Sequence, residues 1–550
     1  MVFSLLLARK LSLFGGVSES PDRSRSRKPA KQHKIGYGVL VLKEPQNSLV
    51  LKERPAARMT IRLFNTLSGR IEELAPADGK SLRMYACGPT VYDYGHIGNF
   101  RTFLQVDVLR RFLKLQGITP RHVMNITDVD DKIIRNAAAA GVDIGEYTPR
   151  FEQAFFEDLD ALAVEKPEIV ARATEHIPAM VQLIQQLEAE DCAYRTDDGS
   201  WYFRIAKFPE YGKLSKKDFT GITDGARVDV DEYDKDSARD FALWKAPKPG
   251  EYHWETALGP GRPGWHIECS AMATEFLGDS FDLHAGGEDL MFPHHENEIA
   301  QSESASHTTF ARHWFHVRFL LVEGRKMSKS EGNFYTLRDL LLKGYKASAI
   351  RMLLISVPYR QQLNFTFEGL AAETGAVDRL RTFHRRVVST PTVAETNEAL
   401  SAETARCGRG FIEALANDLN TAEARAAIFD LVRTGNAAID AGTLGAQNAA
   451  EILEVLGRFD QVFAVLEDRD AEWTKFALAW AEREGRLDEA APEVLAQAGL
   501  SDERIQALVD ERAQAKKARN FARADQIRNE LAEKGIVIED SKDGARWKRK

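Results

Sequence analysis

The stretch from Ser81 to Ile126 constrains this chain most. Ser81 to Ala86 (Ser-Leu-Arg-Met-Tyr-Ala) reads as a short buried strand that stops at Cys87-Gly88-Pro89, because Gly and Pro end an extended run. A loop through Gly98 follows. Phe103, Val106, Leu109, Phe112 and Leu113 then recur at helical spacing, which puts one apolar face on a helix over Phe103 to Leu115. Arg121 to Ile126 is a second strand candidate. Strand, loop, helix and strand make a βαβ unit, and that unit calls for a parallel sheet. The expected class is α/β: a Rossmann-like parallel-sheet catalytic domain with an inserted module, then a helical bundle and a small C-terminal domain.

At 550 residues the chain exceeds what one hydrophobic core supports. We expect a sheet domain in two halves, 59–150 and 261–335, split by an inserted module over 151–260. Junction helices over 336–370, a helical bundle over 371–495 and a small domain over 500–550 complete the order. Residues from about 150 to 195 look helical. Trp201 to Phe208 and Phe241 to Lys245 look like strands of the insert, and Gly259 to Gly264 marks the return from it. Phe281 to His284, running into Gly286-Gly287, reads as a further strand. Helical patterning dominates from Leu337, and a short tail follows the basic helical segment Lys516 to Leu531. No internal repeat of fixed period is seen.

Residues 1–58 differ in character. A short apolar run, Phe3 to Leu7, gives way to a basic, Ser-rich stretch around Arg23 to Lys28. We read this as a disordered extension, or as residues ahead of a true start at Met59; an organelle transit peptide is the alternative.

The net charge of −8 argues against a general nucleic-acid coat protein. It leaves room for an enzyme that meets nucleic acid through a local basic surface. Four scattered cysteines, Cys87, Cys192, Cys269 and Cys407, are too few for a disulfide framework and suit a reducing cytoplasm. No stretch is long and apolar enough to span a bilayer, so no membrane partner is expected.

Two separated motifs share a phosphate logic. His96-Ile97-Gly98-Asn99 lies in the loop after the first strand; Lys326-Met327-Ser328-Lys329-Ser330 lies far downstream. Attack of a carboxylate on the α-phosphate of ATP builds negative charge on oxygen, and imidazole, ammonium and backbone N–H groups stabilise it. Gly98 allows close approach of the chain to a nucleotide. We therefore expect ATP contacts from His96, Gly98, Asn99, Lys326, Ser328, Lys329 and Ser330, with His96, Asn99, Lys326 and Lys329 catalytic. Alone, the first motif is an ordinary turn and the second a solvated charge run. Together and in this order they resemble the two signatures of class I aminoacyl-tRNA synthetases. The family form of the first signature ends in His, where this chain has Asn99.

Cys87, Cys269, His294 and Glu298 are candidate metal ligands. His294 and Glu298 are i, i+4 and share a face if His294 to Ala300 is helical. The four are dispersed, so spacing alone leaves packing as the alternative. Cys192 and Cys407 read as small buried hydrophobes. Four longer blocks are similar to cysteinyl-tRNA synthetases: Met84 to Tyr92, Asn125 to Lys132, Arg262 to Ser270 and Phe292 to Glu298. The resemblance runs from about Met59 to Trp547. It implies that Cys87, Cys269, His294 and Glu298 hold one zinc ion, and that Thr127, Trp265 and His284 line the amino-acid pocket. It also implies that Lys329 contacts phosphate, with Mg2+ accompanying ATP. The implied partners are ATP, L-cysteine and tRNA(Cys), the cysteinyl group passing to the 2′-OH of the terminal adenosine. A soft thiolate binds zinc where a neutral hydroxyl does not, which would separate cysteine from serine.

Ala349-Ile350-Arg351, preceded by Ser348 where the family often has Asp, resembles the junction to the anticodon region. The segment Asp510 to Trp547 resembles that family's small anticodon-reading domain. It offers Lys516, Arg519 and Arg523 for phosphate and Trp547 for base stacking; a solvated helix face is the bland alternative. No segment is large enough for a hydrolytic editing domain, and a monomer is expected. The rivals are a cysteine ligase of thiol-cofactor synthesis, which lacks the anticodon half, and an inactive tRNA-binding paralogue.

Overall fold

The computed structural model describes residues 59–217, 227–228, 239–497, 502–533, 536–541 and 544–549. The extension expected over 1–58 lies outside them.

Five strands form the central sheet: β1 (Ser81–Ala86), β2 (Thr119–Ile126), β3 (Ile169–Arg172), β4 (Phe281–Gly287) and β5 (Ala311–Val317). Their order is β5-β4-β1-β2-β3, and every neighbouring pair is parallel. The chain leaves β1 to one side and returns on the other as β4. Such a switch point opens a crevice beyond the carboxyl ends of the strands. Cys87 stands directly after β1, and His284 of β4 pairs with Tyr85 of β1.

The crossover helix α1 spans Ile97–Leu115, starting six residues before the expected Phe103. An unusual cap explains the difference. His96 Nδ1 accepts the N–H of Asn99 at 3.2 Å, and Asn99 Oδ1 accepts the N–H of His96 at 3.1 Å. Histidine is a poor N-cap by propensity, so sequence reading leaves this turn as loop. α1 is buried on more than one face, Phe100, Leu104 and Val108 as fully as Leu109 and Phe112. It lies between the sheet and the bundle, and each such side chain contributes about 1.5–3 kcal/mol.

Residues 150–195 are not all helical. α2 (Pro149–Ala161) is followed by β3, and a helix resumes at Ile177–Ala189. Ile169-Val170-Ala171 is too short for a period to show, and pairing with Val123 to Ile126 decides its state. The insert's strand Trp201–Phe203 is shorter than expected, because Ile205–Lys207 turns as 3-10 helix. It pairs antiparallel with Asp240–Lys245. Arg262–Pro263 also pairs with Asp240–Lys245. The Gly- and Pro-rich stretch thus closes the inserted sheet before the chain returns.

α3 (Trp265–Leu277) begins immediately afterwards, and α4 (Glu296–Ser306) follows the irregular turn Met291–His295. The helix expected from His294 therefore starts at Glu296. α5 (Leu337–Leu342) and α6 (Ala347–Leu354) lead to the bundle of α7 (Phe367–Ser389), α8 (Glu398–Ala416), α9 (Thr421–Asp440), α10 (Ala446–Phe463) and α11 (Asp470–Arg483). α12 (Asp502–Lys517) and α13 (Phe521–Glu533) pack with a hairpin, Ile536–Ser541 and Gly544–Arg549, around their own core of Ile505, Val509, Ile527 and Leu531. The sequence pattern reads as a tail where the structure has this hairpin.

Buried arginines join these parts. Arg101 of α1 donates to the carbonyls of Arg318, Leu354 and Gln361 at 2.8–3.0 Å. Arg351 of α6 reaches Leu162 O and Phe463 O and pairs with Asp107 at 2.7 Å. Arg381 of α7 donates to Val465 O and Glu467 O and pairs with Asp470, which also accepts from Ser348 Oγ at 2.7 Å. The Ser348 hydroxyl thus meets an acid supplied by the bundle.

Candidate active site

Burial and topology bring Cys87, Cys269, His294 and Glu298 together at the switch point. Cys87 directly follows β1, Cys269 lies early in α3, His294 lies in the turn Met291–His295, and Glu298 lies in the first turn of α4. All four are buried, and their ligand atoms lie within 4.8 Å of one another. The two sulfurs are 4.0 Å apart, Cys87 Sγ is 3.7 Å from Glu298 Oε1, and His294 Nε2 is 3.1 Å from the same oxygen. With bonds of about 2.0–2.3 Å, ligand atoms of a tetrahedral ion stand roughly 3.3–3.8 Å apart. The observed separations and donor types therefore fit one small ion with little movement.

The charges point the same way. Burial penalises Glu298, but the imidazoles of His284 and His294 outweigh it and hold its pKa at about 2. Burial raises Cys269, but hydrogen bonding from Cys87, with His294 alongside, brings it to about 6. Against its own burial, His294 is raised to about 10 by Cys269 and Glu298. A thiolate, a carboxylate and a proton-holding imidazole crowd one dry site, where a cation can replace that proton.

In a second overlapping group, Cys87, His284, His295 and Glu298, the ligand atoms also lie within 4.8 Å of one another. It has one sulfur in place of two. Its imidazoles already have neighbours: His284 Nε2 lies 2.8 Å from Glu298 Oε2, and His295 Nδ1 lies 2.8 Å from His316 Nε2. His316 Nδ1 is in turn 2.8 Å from Thr66 Oγ1. Burial, with His284 nearby, pushes His295 and His316 down, His316 to about 3. The two groups share Cys87 and Glu298, so His284 and His295 flank the first group.

The three expected pocket residues gather here too. Trp265 starts α3, with its ring centroid 4.3 Å from that of His294. His284 is fully buried and stacks on Trp314 at 4.4 Å. Thr127 Oγ1 donates to the buried Glu268 Oε2 at 3.0 Å. Gly286 is required by this packing: a Cβ there would lie 2.6 Å from His295 Cε1. Sequence reading missed Glu268, His266, His295 and His316. For His266 and Glu268 the available signal was two polar side chains inside the otherwise largely apolar run Trp265 to Ala273.

The phosphate motifs meet beside α1. His96 and Asn99 form its cap, so Gly98 lies in the first helical turn. A Cβ on Gly98 would sit 2.9 Å from the His96 ring and 3.3 Å from Met327 Cε, so the glycine admits the lysine loop. Lys326 ends the short strand Arg325–Lys326. Asn333 donates to Lys326 O at 3.0 Å and accepts from Ser328 N at 2.8 Å, and Ser328 and Ser330 share a hydroxyl bond of 2.6 Å. Lys329 Nζ lies 2.6 Å from Asp93 Oδ2. Burial, with Lys329 nearby, lowers His96 to about 4.

The basic C-terminal residues divide. Lys516 and Arg519 are exposed. Arg523 is paired with Glu511 at 2.9 Å. Trp547 is half-buried against the small core, with Nε1 donating to Gln506 Oε1 at 3.1 Å. The exposed aromatic is Phe521, 61% accessible at the start of α13. Its place between Arg519 and Arg523 was the missed clue.

Comparison with known proteins adds an independent line. Residues 73–374 match the class I (C) tRNA synthetase catalytic domain, residues 410–467 the DALR domain, and residues 499–547 the cysteinyl-tRNA ligase anticodon binding domain. The chain is 60% identical over 495 residues to the cysteine–tRNA ligase of Koribacter versatilis, covering 90% of this chain and all of that protein. It is 53% identical to that of Solibacter usitatus over 90% of this chain and all of the relative. In fold it resembles Mycobacterium tuberculosis methionyl-tRNA synthetase in complex with methionyl-adenylate, with a TM-score of 0.52 and 16% identity over 76% of this chain and 96% of the other.

Proposed function

Because the chain belongs to the cysteine–tRNA ligases, a family of class I aminoacyl-tRNA synthetases, we propose a role for each part of its crevice. The chain activates L-cysteine with ATP and passes it to the terminal ribose of tRNA(Cys). The observation that carries the site assignment is the buried cluster of Cys87, Cys269, His294 and Glu298 at the carboxyl end of β1. We assign these four as ligands of one zinc ion, whose chemistry would be to take a substrate thiolate in preference to a hydroxyl. Trp265, His284 and Thr127 wall the amino-acid seat, with the Glu268 carboxylate fixing the Thr127 hydroxyl.

In the first step a carboxylate oxygen of cysteine attacks the α-phosphorus of ATP, and pyrophosphate leaves with the electrons of the broken P–O bond. Charge builds on phosphate oxygens, and this chain supplies the donors. His96 is neutral at pH 7, and its Nδ1 is occupied as an acceptor by Asn99 N–H. Its proton therefore sits on Nε2, the atom left to donate. Asn99 Oδ1 is likewise engaged, which leaves its amide protons. Lys326 and Lys329 supply ammonium groups, Ser328 and Ser330 hydroxyls, and Mg2+ accompanies the nucleotide. In the second step a ribose hydroxyl of tRNA attacks the carbonyl carbon and AMP leaves. Both steps need positioning and charge stabilisation, not a protein nucleophile.

Lys516, Arg519 and Phe521 are proposed to meet tRNA. Phe521 replaces Trp547 as the stacking residue, because its face is open. The match of residues 499–547 to an anticodon binding domain disfavours a ligase of thiol-cofactor synthesis. Four buried free thiols suit the cytoplasm, and no helix among the described residues is long and apolar enough to cross a membrane. A chain truncated after residue 497 should keep cysteine-dependent ATP–pyrophosphate exchange and lose charging of tRNA(Cys). Equal loss of both would overturn this division.

A further inference from the structure

The lysine loop is fixed at its root and latched at its tip by different means. At the root, Ile97 N–H donates to Tyr335 O at 3.1 Å, and the Phe334 ring packs edge-on against His96 at 5.1 Å. Buried Asn333 staples the two sides of the loop. At the tip, the side-chain tie is the ion pair of Lys329 with Asp93 at 2.6 Å, with the Phe334 ring 5.0 Å from the ammonium. Asp93 lies in the loop between β1 and α1. Its Oδ1 accepts the N–H of Tyr94 at 2.8 Å, so the main chain orients the carboxylate that receives the lysine. The bond to Asp93 also raises Lys329 above its ordinary pKa.

We propose that Asp93 is a positioning residue for ATP activation: its carboxylate stands in for phosphate, tethers Lys329 at the mouth of the crevice, and is exchanged for ATP when nucleotide binds. This rests on Lys329 being a phosphate contact. A polyphosphate carries more charge than one carboxylate and wins the ammonium, but it must first displace Asp93. The tether therefore stabilises the nucleotide-free loop and weakens ATP binding by the strength of an exposed pair.

The test uses full-length Asp93→Asn, which keeps the acceptor for Tyr94 N–H and loses the charge. The KM for ATP in cysteine-dependent pyrophosphate exchange should fall about 2–5-fold, the range set by an exposed pair, while kcat moves less. Tryptic cleavage after Lys329 without ATP should quicken, ATP should slow it again, and Asp93→Glu should restore slow cleavage. The proposal is overturned if the ATP KM rises or is unchanged, or if cleavage after Lys329 is no faster than in the parent. Lys329→Ala tests the underlying reading separately. If its exchange kinetics match the parent, the phosphate role of Lys329 fails; if they are impaired while Asp93→Asn behaves as parent, only the tether fails.

Discussion

Glu298 is wholly buried, between His284 and His294, whereas the Lys329 side chain is 64% exposed and meets an exposed acid. Both are charged groups in one crevice, yet they obey different energetics. Breaking a buried pair costs about 3–5 kcal/mol, because the remaining charge has no water. Breaking an exposed pair costs about 0.2–1 kcal/mol. On the proposed assignment, the amino-acid end is thus preorganised and resists deformation, and the phosphate end exchanges partners cheaply. Discrimination between two side chains differing by one atom needs the first. Admission and release of a large polyanion need the second.

The largest effect should come from breaking the buried end. Cys269→Ser or Glu298→Gln should reduce zinc content below half an ion per chain by atomic emission. Loss of cysteine-dependent exchange should exceed the roughly 10–100-fold typical of losing an outer partner. A variant that kept both zinc and preference for cysteine over serine would show that this cluster is not the selector. Next, Lys329→Ala should lower exchange by about 10²–10³-fold, the scale of one lost charge-stabilising donor, while zinc content stays at the parent value. If the two ends were one cooperative unit, the zinc would fall as well.

A smaller effect is expected away from both ends. Phe521→Ala should weaken tRNA charging by about 1–3 kcal/mol, the scale of one stacked base, and leave pyrophosphate exchange unchanged; Trp547→Phe should matter less to tRNA. The smallest effect concerns pH. His96 is depressed by burial first and by Lys329 second, so it stays neutral until pH falls to about 4 and adds no break near 6.5 to the exchange profile. In Lys329→Ala its titration, followed by NMR, should move up yet remain below 6.5. A midpoint unchanged by that substitution would place Lys329 elsewhere.

The sheet domain was largely legible because β1, α1 and β2 carry strong local patterns: a Gly-Pro stop, five apolar residues at helical spacing, a second apolar run. β3 was not, since four residues in Ile169–Arg172 show no period and owe their state to β2. The four candidate ligands rest on residue type and resemblance, and the fold brings all four together; spacing alone does not choose them. His295 and His316 escaped because nothing local marks a histidine that is buried beside another. Trp547 stands out for its neighbours in sequence, but strand alternation turns it against the small core, and only the folded chain shows that Phe521 faces outward.

The buried arginines have a consequence for how this molecule tolerates change. Arg101, Arg351 and Arg381 reach across segments largely to carbonyl oxygens: Leu354 and Gln361, Leu162 and Phe463, Val465 and Glu467. Every residue carries a carbonyl, so the acceptor side of each joint survives substitution of the residue that bears it. Genetic drift can rewrite those partner positions without undoing the joints. The vulnerability lies in the donors and in the two acids Asp107 and Asp470, and lysine cannot replace a guanidinium that spans several acceptors at once.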